Sequence, residues 1–144
     1  MKPIKRKINK IIVHCTATPL SMDVDVESVR TWHLERGWSD IGYHYLIKLD
    51  GTIQKGRPLE KIGAHVKGEN SNSIGIAYAG GISEDMSNPK DTRTQEQKDS
   101  LEYLLCYLKI LFSEATIYGH RDFSSKACPS FDAKCEYEWI SNQF

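Results

Sequence analysis

"SIGIAYA", residues 73–79, carries no charge and no alternation of polar with apolar side chains. A short apolar run between loop-forming segments is the pattern of a strand buried on both faces, so this stretch is read as the central strand of a sheet. Two further runs widen it. KIIVHCT at 10–16 reads as a buried strand that ends in polar residues, and ATIY at 115–118 as a short one. YHYLIKL at 43–49 and TIQKG at 52–56 flank Asp50-Gly51. That dipeptide is favoured in tight hairpin turns, so the two runs form a hairpin.

Helical patterns fall between these strands. From about 25 to 36, Val26, Val29, Trp32 and Leu34 recur in a roughly helical rhythm, with Gly37 as a natural stop. The strongest pattern spans 94–112. Thr94 and Gln97 form a T-x-x-Q capping box, and Leu101, Leu104, Leu105, Leu108, Leu111 and Phe112 follow on one face. A last short helix is expected from about Asp132 to Ile140, packing Tyr137 and Trp139. Residues 17–25, 58–72 and 80–93 read as connections. The expected fold class is α/β: a single domain over 1–144, core about 10–140, with a central mixed β-sheet of about five strands flanked by helices. A chain of 144 residues suits one such core.

Composition narrows the function. Lys+Arg and Asp+Glu balance at 19 each, so no overall field draws the chain to nucleic acid or to an anionic membrane. No run of about 18 apolar residues offers a membrane span. The basic start MKPIKRKINK is followed by IIVHCTATPL, too short and polar for the apolar part of a signal peptide. Cytoplasmic synthesis is therefore expected. Cys15, Cys106, Cys128 and Cys135 are too few for a disulfide scaffold. In a reducing compartment they are buried thiols or metal ligands.

The segment YGHRDFSSKACPSFD at 118–132 gathers His120, Lys126 and Cys128 where neither helix nor strand period is visible. One nitrogen and one sulfur donor could be half of a zinc site, which in enzymes takes three protein ligands and keeps a fourth position for water. Spacing does not choose the third ligand among His14, His33, His44 and His65. His14 has a mild preference, because it closes an apolar strand and sites form at strand ends. His33, beside Trp32, suits a packing or surface role. In an extended chain Cys15 points away from His14.

Four blocks then carry a resemblance: IIVHCTAT at 11–18, GWSDIGYHYLIKLDGTIQKGR at 37–57, GAHVKGENSNSIGIAYAGG at 63–81 and GHRDFSSKACPSFD at 119–132. In this order they resemble the type 2 N-acetylmuramoyl-L-alanine amidases, above all the phage lysozymes, with peptidoglycan recognition proteins as more distant relatives. The resemblance implies one Zn²⁺ held by His14, His120 and Cys128, with Tyr43 and Lys126 as catalytic residues. It implies hydrolysis of the amide between N-acetylmuramic acid and L-alanine in peptidoglycan. Recycling amidases of the superfamily carry aspartate at the third ligand position, and recognition proteins that bind without cleaving commonly lack the cysteine. Cys128 therefore favours a cleaving enzyme over a binding module with little or no activity.

Further expectations concern the surroundings. His65, Lys67 and Asn70 are read as a polar substrate-binding rim. If Tyr43 faces the metal, strand alternation brings Tyr45 to the same side and turns His44 away into a structural role. Glu69, Asp122 and Asp132 are candidate bases of no special claim. Cys15, Cys106 and Cys135 are read as buried or inert, and Trp32 and Trp38 as packing residues. A monomer is expected, with peptidoglycan as partner and no nucleic acid or membrane insertion. Polymerase binding is implied only by analogy with a phage lysozyme of the family, whose N-terminal arm MKPIKRKINK does not match.

Overall fold

The structure is a computed structural model that describes residues 4–143, so both ends of the expected 1–144 domain lie just outside the described residues. Its elements follow the order strand β1 (Lys10–Cys15), helix α1 (Val26–Glu35), strands β2 (Tyr45–Ile47), β3 (Ile53–Lys55) and β4 (Ser73–Tyr78), helix α2 (Gln95–Leu111), strand β5 (Thr116–Gly119), and short helices α3 (Ala133–Glu136) and α4 (Glu138–Ser141). The five strands form one sheet in the order β3-β2-β4-β1-β5. β4 pairs in parallel with β1 and β2, β1 pairs in parallel with β5, and only β3 runs antiparallel, against β2. The expected mixed α/β sheet is therefore present, with SIGIAY at its centre and every residue of that strand buried.

The hairpin turn is wider than a two-residue loop. The Gly51 N–H donates to Lys48 O at 2.9 Å and the Lys48 N–H to Thr52 O at 2.9 Å. Gly51 takes φ 88°, so Asp50-Gly51 closes a three-residue loop whose last residue is left-handed, a position that suits glycine.

Most of the core lies on the α2 side of the sheet. Ile11, Val13 and Cys15 of β1, Tyr45 and Ile47 of β2, and Ile74, Ile76 and Tyr78 of β4 pack there with Leu101, Leu104, Leu105 and Leu108. Thr94 caps α2 as expected: its side chain accepts from the Gln97 N–H, and Gln97 returns the bond to the Thr94 N–H. The buried Gln97 amide also donates to Ala79 O at 2.8 Å, tying the helix start to the end of β4. On the other side a smaller cluster joins Val24, Val26, Val29, Ile41, Leu46, Ala77 and Ala79.

Three expectations about packing are corrected. Leu34 is exposed and its neighbour His33 is buried, because the His33 ring accepts the Gly42 N–H at Nδ1, 2.8 Å away. Leu111 is exposed and Lys109 is buried, because the Lys109 ammonium folds back to donate to Ser113 O and Ala115 O just beyond the helix. The last helix breaks at Tyr137, which is buried, and leaves Trp139 on the surface. Arg93 holds Tyr137 in place. Its guanidinium donates to the Tyr137 hydroxyl and to Glu136 and lies 3.4 Å over the Phe131 ring.

A candidate metal centre at the strand ends

β1, β4 and β5 all run the same way, so their carboxyl ends open on one rim of the sheet. Sites in open α/β sheets form at such rims, where loops diverge. His14 is the penultimate residue of β1, and His120 begins the 3-10 turn immediately after β5. The loop that follows then turns back. Gly119 donates its N–H to Asp122 Oδ2 at 2.8 Å, and Arg121 donates its N–H to Cys128 O at 2.8 Å. A side chain at Gly119 would stand 2.9 Å from Pro129 Cδ, so glycine allows the returning loop to lie against the strand end. Tyr78 Oη donates to Pro129 O at 2.6 Å and Ser130 Oγ to Gly81 O at 2.7 Å, fixing the loop from below.

These bonds bring His14, His120 and Cys128 together, with one donor atom from each inside a 4.8 Å group. Cys128 Sγ lies 3.8 Å from His14 Nδ1 and accepts the Cys15 N–H at 3.2 Å. The rings of His14 and His120 stand 4.7 Å apart, centre to centre. Zn–S and Zn–N bonds of ordinary length at a tetrahedral angle place sulfur and nitrogen about 3.6 Å apart, so the group has the size and donor types for zinc. Cys15 has its side chain in the core on the α2 side, opposite His14 as expected. Its backbone N–H is nevertheless part of the site, which no side-chain pattern announces.

The electrostatics suit a cation. Burial, then His65, His120 and Lys126, hold His14 well below the usual histidine range, and burial and Lys126 lower His120. Both rings are thus neutral near pH 7, the form that ligates. The neighbouring Cys15 thiol, together with burial, pushes the Cys128 thiol up, while the Cys15 N–H and Lys126 favour its thiolate, the form a metal ion binds. Lys126 is exposed, and its charge reaches His14, His120 and Cys128.

Tyr43 stands over the site, its ring 5.0 Å from that of His14 and 5.5 Å from that of His33. Burial, then Cys128 and Cys15, push its hydroxyl well above the usual tyrosine range. Tyr45 does not share that side: it packs in the α2 core, whereas Tyr43 packs with the α1 cluster. Alternation fails because β2 begins only at Tyr45, after an irregular stretch. His44 is buried with its ring committed to backbone, accepting the Gly75 N–H at Nδ1 and facing Lys61 O at 2.9 Å through Nε2. Burial brings it down to about 4.

The loop read as a polar rim is more divided than expected. Lys67 is exposed. Asn70 turns its Oδ1 inward, accepting the N–H groups of His65 and Val66, each at 2.9 Å. His65 lies behind His14, its Nδ1 2.8 Å from His14 Nε2. Among the carboxylates, Asp122 caps the turn after β5 and Asp132 accepts the Cys135 N–H at the start of α3. Cys135 is exposed, Cys106 half-buried, and Trp38 packs on His33 at 4.5 Å.

Known proteins resemble this chain in sequence and fold. Residues 4–131 match the family described as N-acetylmuramoyl-L-alanine amidase. The endolysin of Klebsiella phage KP32 is 44% identical over 134 residues, covering 93% of this chain and 88% of its own. The endolysin of Escherichia phage T7 is 42% identical over 134 residues, with the same 93% and 88% coverage. Among solved structures, N-acetylmuramoyl-L-alanine amidase LysC from Clostridium intestinale URNW superposes with a TM-score of 0.79 at 32% identity, over 96% of this chain and 85% of that one. A family match across nearly the whole domain, together with relatives of that identity, makes the chain a member of the N-acetylmuramoyl-L-alanine amidase family and an amidase.

Proposed function

We propose that the protein is a zinc-dependent lytic amidase that hydrolyses the bond between the lactyl group of N-acetylmuramic acid and L-alanine in peptidoglycan. His14, His120 and Cys128 hold the ion. The observation that carries this reading is their convergence at the strand ends. Two imidazoles and a thiolate, with no fourth protein donor in the group among the described residues, are the ligand count of a catalytic rather than a structural zinc site. When bound, the ion supplies Lewis acidity to the scissile carbonyl and makes water nucleophilic near neutral pH.

The chain's own residues do the rest. Lys126 carries an ammonium whose field already reaches both histidines, so it can stabilise negative charge on the substrate oxygen. Tyr43 keeps its proton at neutral pH because burial and the nearby sulfurs disfavour the phenolate. It therefore acts as a donor that orients a reacting oxygen, not as a base. Asp122 and Asp132 hold loop backbone. Lys67, exposed at the loop tip, is free to meet a stem-peptide carboxylate. Relatives named as phage endolysins support a route of cytoplasmic synthesis followed by release to the wall.

Digestion of purified peptidoglycan tests the reaction. New L-alanine amino termini, without new reducing sugar ends, are expected from the wild type. Reducing ends without amino termini would identify a glycosidase and overturn the reading.

A further inference from the structure

We propose that His65 is a positioning residue for the zinc site, holding His14 with Nδ1 toward the ion through a relay that ends on Ser73. The inference rests on the zinc reading above and goes beyond it. His14 presents Nδ1 to Cys128 Sγ at 3.8 Å, so Nδ1 is its ligating atom. A neutral ring that ligates through Nδ1 carries its proton on Nε2, and that atom points away from the ligands to His65 Nδ1, 2.8 Å distant. The His14 Nε2–H donates there. His65, accepting at Nδ1, carries its own proton on Nε2, 3.2 Å from Ser73 Oγ. The chain thus runs from ligand to imidazole to a hydroxyl on a residue with no exposed surface.

The seat of His65 is built from several sides. Asn70 Oδ1 accepts both the His65 and Val66 N–H groups, fixing the backbone. A side chain at Gly75, in the middle of β4, would stand 2.7 Å from His65 Cγ, and one at Gly63 would stand 2.8 Å from His65 Cδ2. A glycine inside a buried strand marks a close approach, and here the approaching group is this ring. His44, the neighbouring imidazole at 6.0 Å, does not compete for the relay, since Gly75 N–H and Lys61 O occupy its nitrogens. An acceptor behind a ligating histidine fixes its tautomer and orientation and raises its donor strength, and losing such a partner typically costs about 10–100-fold in metal affinity.

The test is zinc affinity by competition with a chromophoric chelator, with thermal unfolding of the metal-free forms run beside it. His65→Phe keeps a ring in the seat and removes the acceptor, so zinc binding is expected to weaken by about 10–100-fold. His65→Asn places Oδ1 where Nδ1 was and is expected to recover most of the loss, which a merely structural role would not produce. The zinc-loaded wild type needs no substitution: its imidazole nitrogen NMR spectrum is expected to show the proton on Nε2 in both His14 and His65. Unchanged affinity in a folded H65F, an H65N as weak as H65F, or a His65 protonated on Nδ1 would each overturn the relay. If H65F does not fold, the tautomers of the wild type decide. A wild type that binds no zinc would overturn the metal reading itself, a different outcome from normal zinc binding with an indifferent His65.

Discussion

The two faces of the sheet differ in what they bury. Toward α2 the strands present Ile11, Val13, Ile47, Ile74 and Ile76 to a leucine-rich helix, a nearly unbroken apolar layer. Toward α1 the cluster is small, and beside it lies a run of ring contacts from His33 to Tyr43 to His14, and on to His65 and His44. The first face holds the chain together by burial of apolar surface, about 25 cal/mol per Å². The second spends its interior on polar rings, each of which costs stability unless every nitrogen is partnered. Among the described residues no buried side-chain nitrogen or oxygen lacks a partner. Stability and the buried rings are thus divided between the two faces, with Cys128, which packs against the α2-side cluster, joining them at the rim, and variants on the two faces should fail in different ways.

The largest expected effect is at the proposed ligands. Cys128→Ala should reduce amide cleavage to background and abolish stoichiometric zinc, read by metal analysis, while the metal-free protein still unfolds cooperatively. Next comes Lys126→Met, which should lower kcat by about 10²–10³ with zinc content unchanged. A parallel loss of zinc would show that Lys126 serves the ligands instead of the substrate. On the opposite face Leu105→Ala should cost about 2–5 kcal/mol in denaturant unfolding, yet the folded fraction should retain full zinc. If it lost zinc first, the separation of the two faces would be broken.

Acid offers a smaller, graded test of the histidine face. Burial depresses both His33 and His44 to about 4, from an ordinary value of 6.5. The unfolded chain therefore takes up protons first as the pH falls. The stability that these neutral rings contribute is whole above about pH 6.5, declines below it, and is gone once the pH has passed below about 4. His44→Gln should flatten that decline in urea titrations. The smallest effect is expected at Trp139, exposed on α4, where alanine should change stability by no more than about 0.5 kcal/mol.

Much of this was legible in the sequence because the signals are local. The capping box at Thr94, the apolar run at 73–79 and the Asp50-Gly51 turn each act through neighbours a few residues away, and His120 and Cys128 sit in one loop. Its place at a strand end favours His14 only mildly, and it is the family resemblance that singles it out. What sequence reading missed depends on backbone groups outside the regular elements, whether near or far along the chain. His33 replaces Leu34 inside because Gly42 offers it an N–H. Lys109 replaces Leu111 because carbonyls beyond the helix accept its ammonium. Tyr43 and Tyr45 part company because the strand starts late. His65 turns inward because Gly63, close before it in the chain, and Gly75, in the middle of β4, leave room for its ring. Gly75 within an otherwise bulky strand was the one hint of that approach.

We propose that amide cleavage depends on a zinc ion held by His14, His120 and Cys128. The direct test is release of L-alanine amino termini from purified peptidoglycan by the metal-replete protein, by the same protein after chelation, and after stoichiometric zinc is returned. Cleavage is expected to disappear on chelation and to return with zinc. Undiminished cleavage by a protein shown to be free of metal would contradict it.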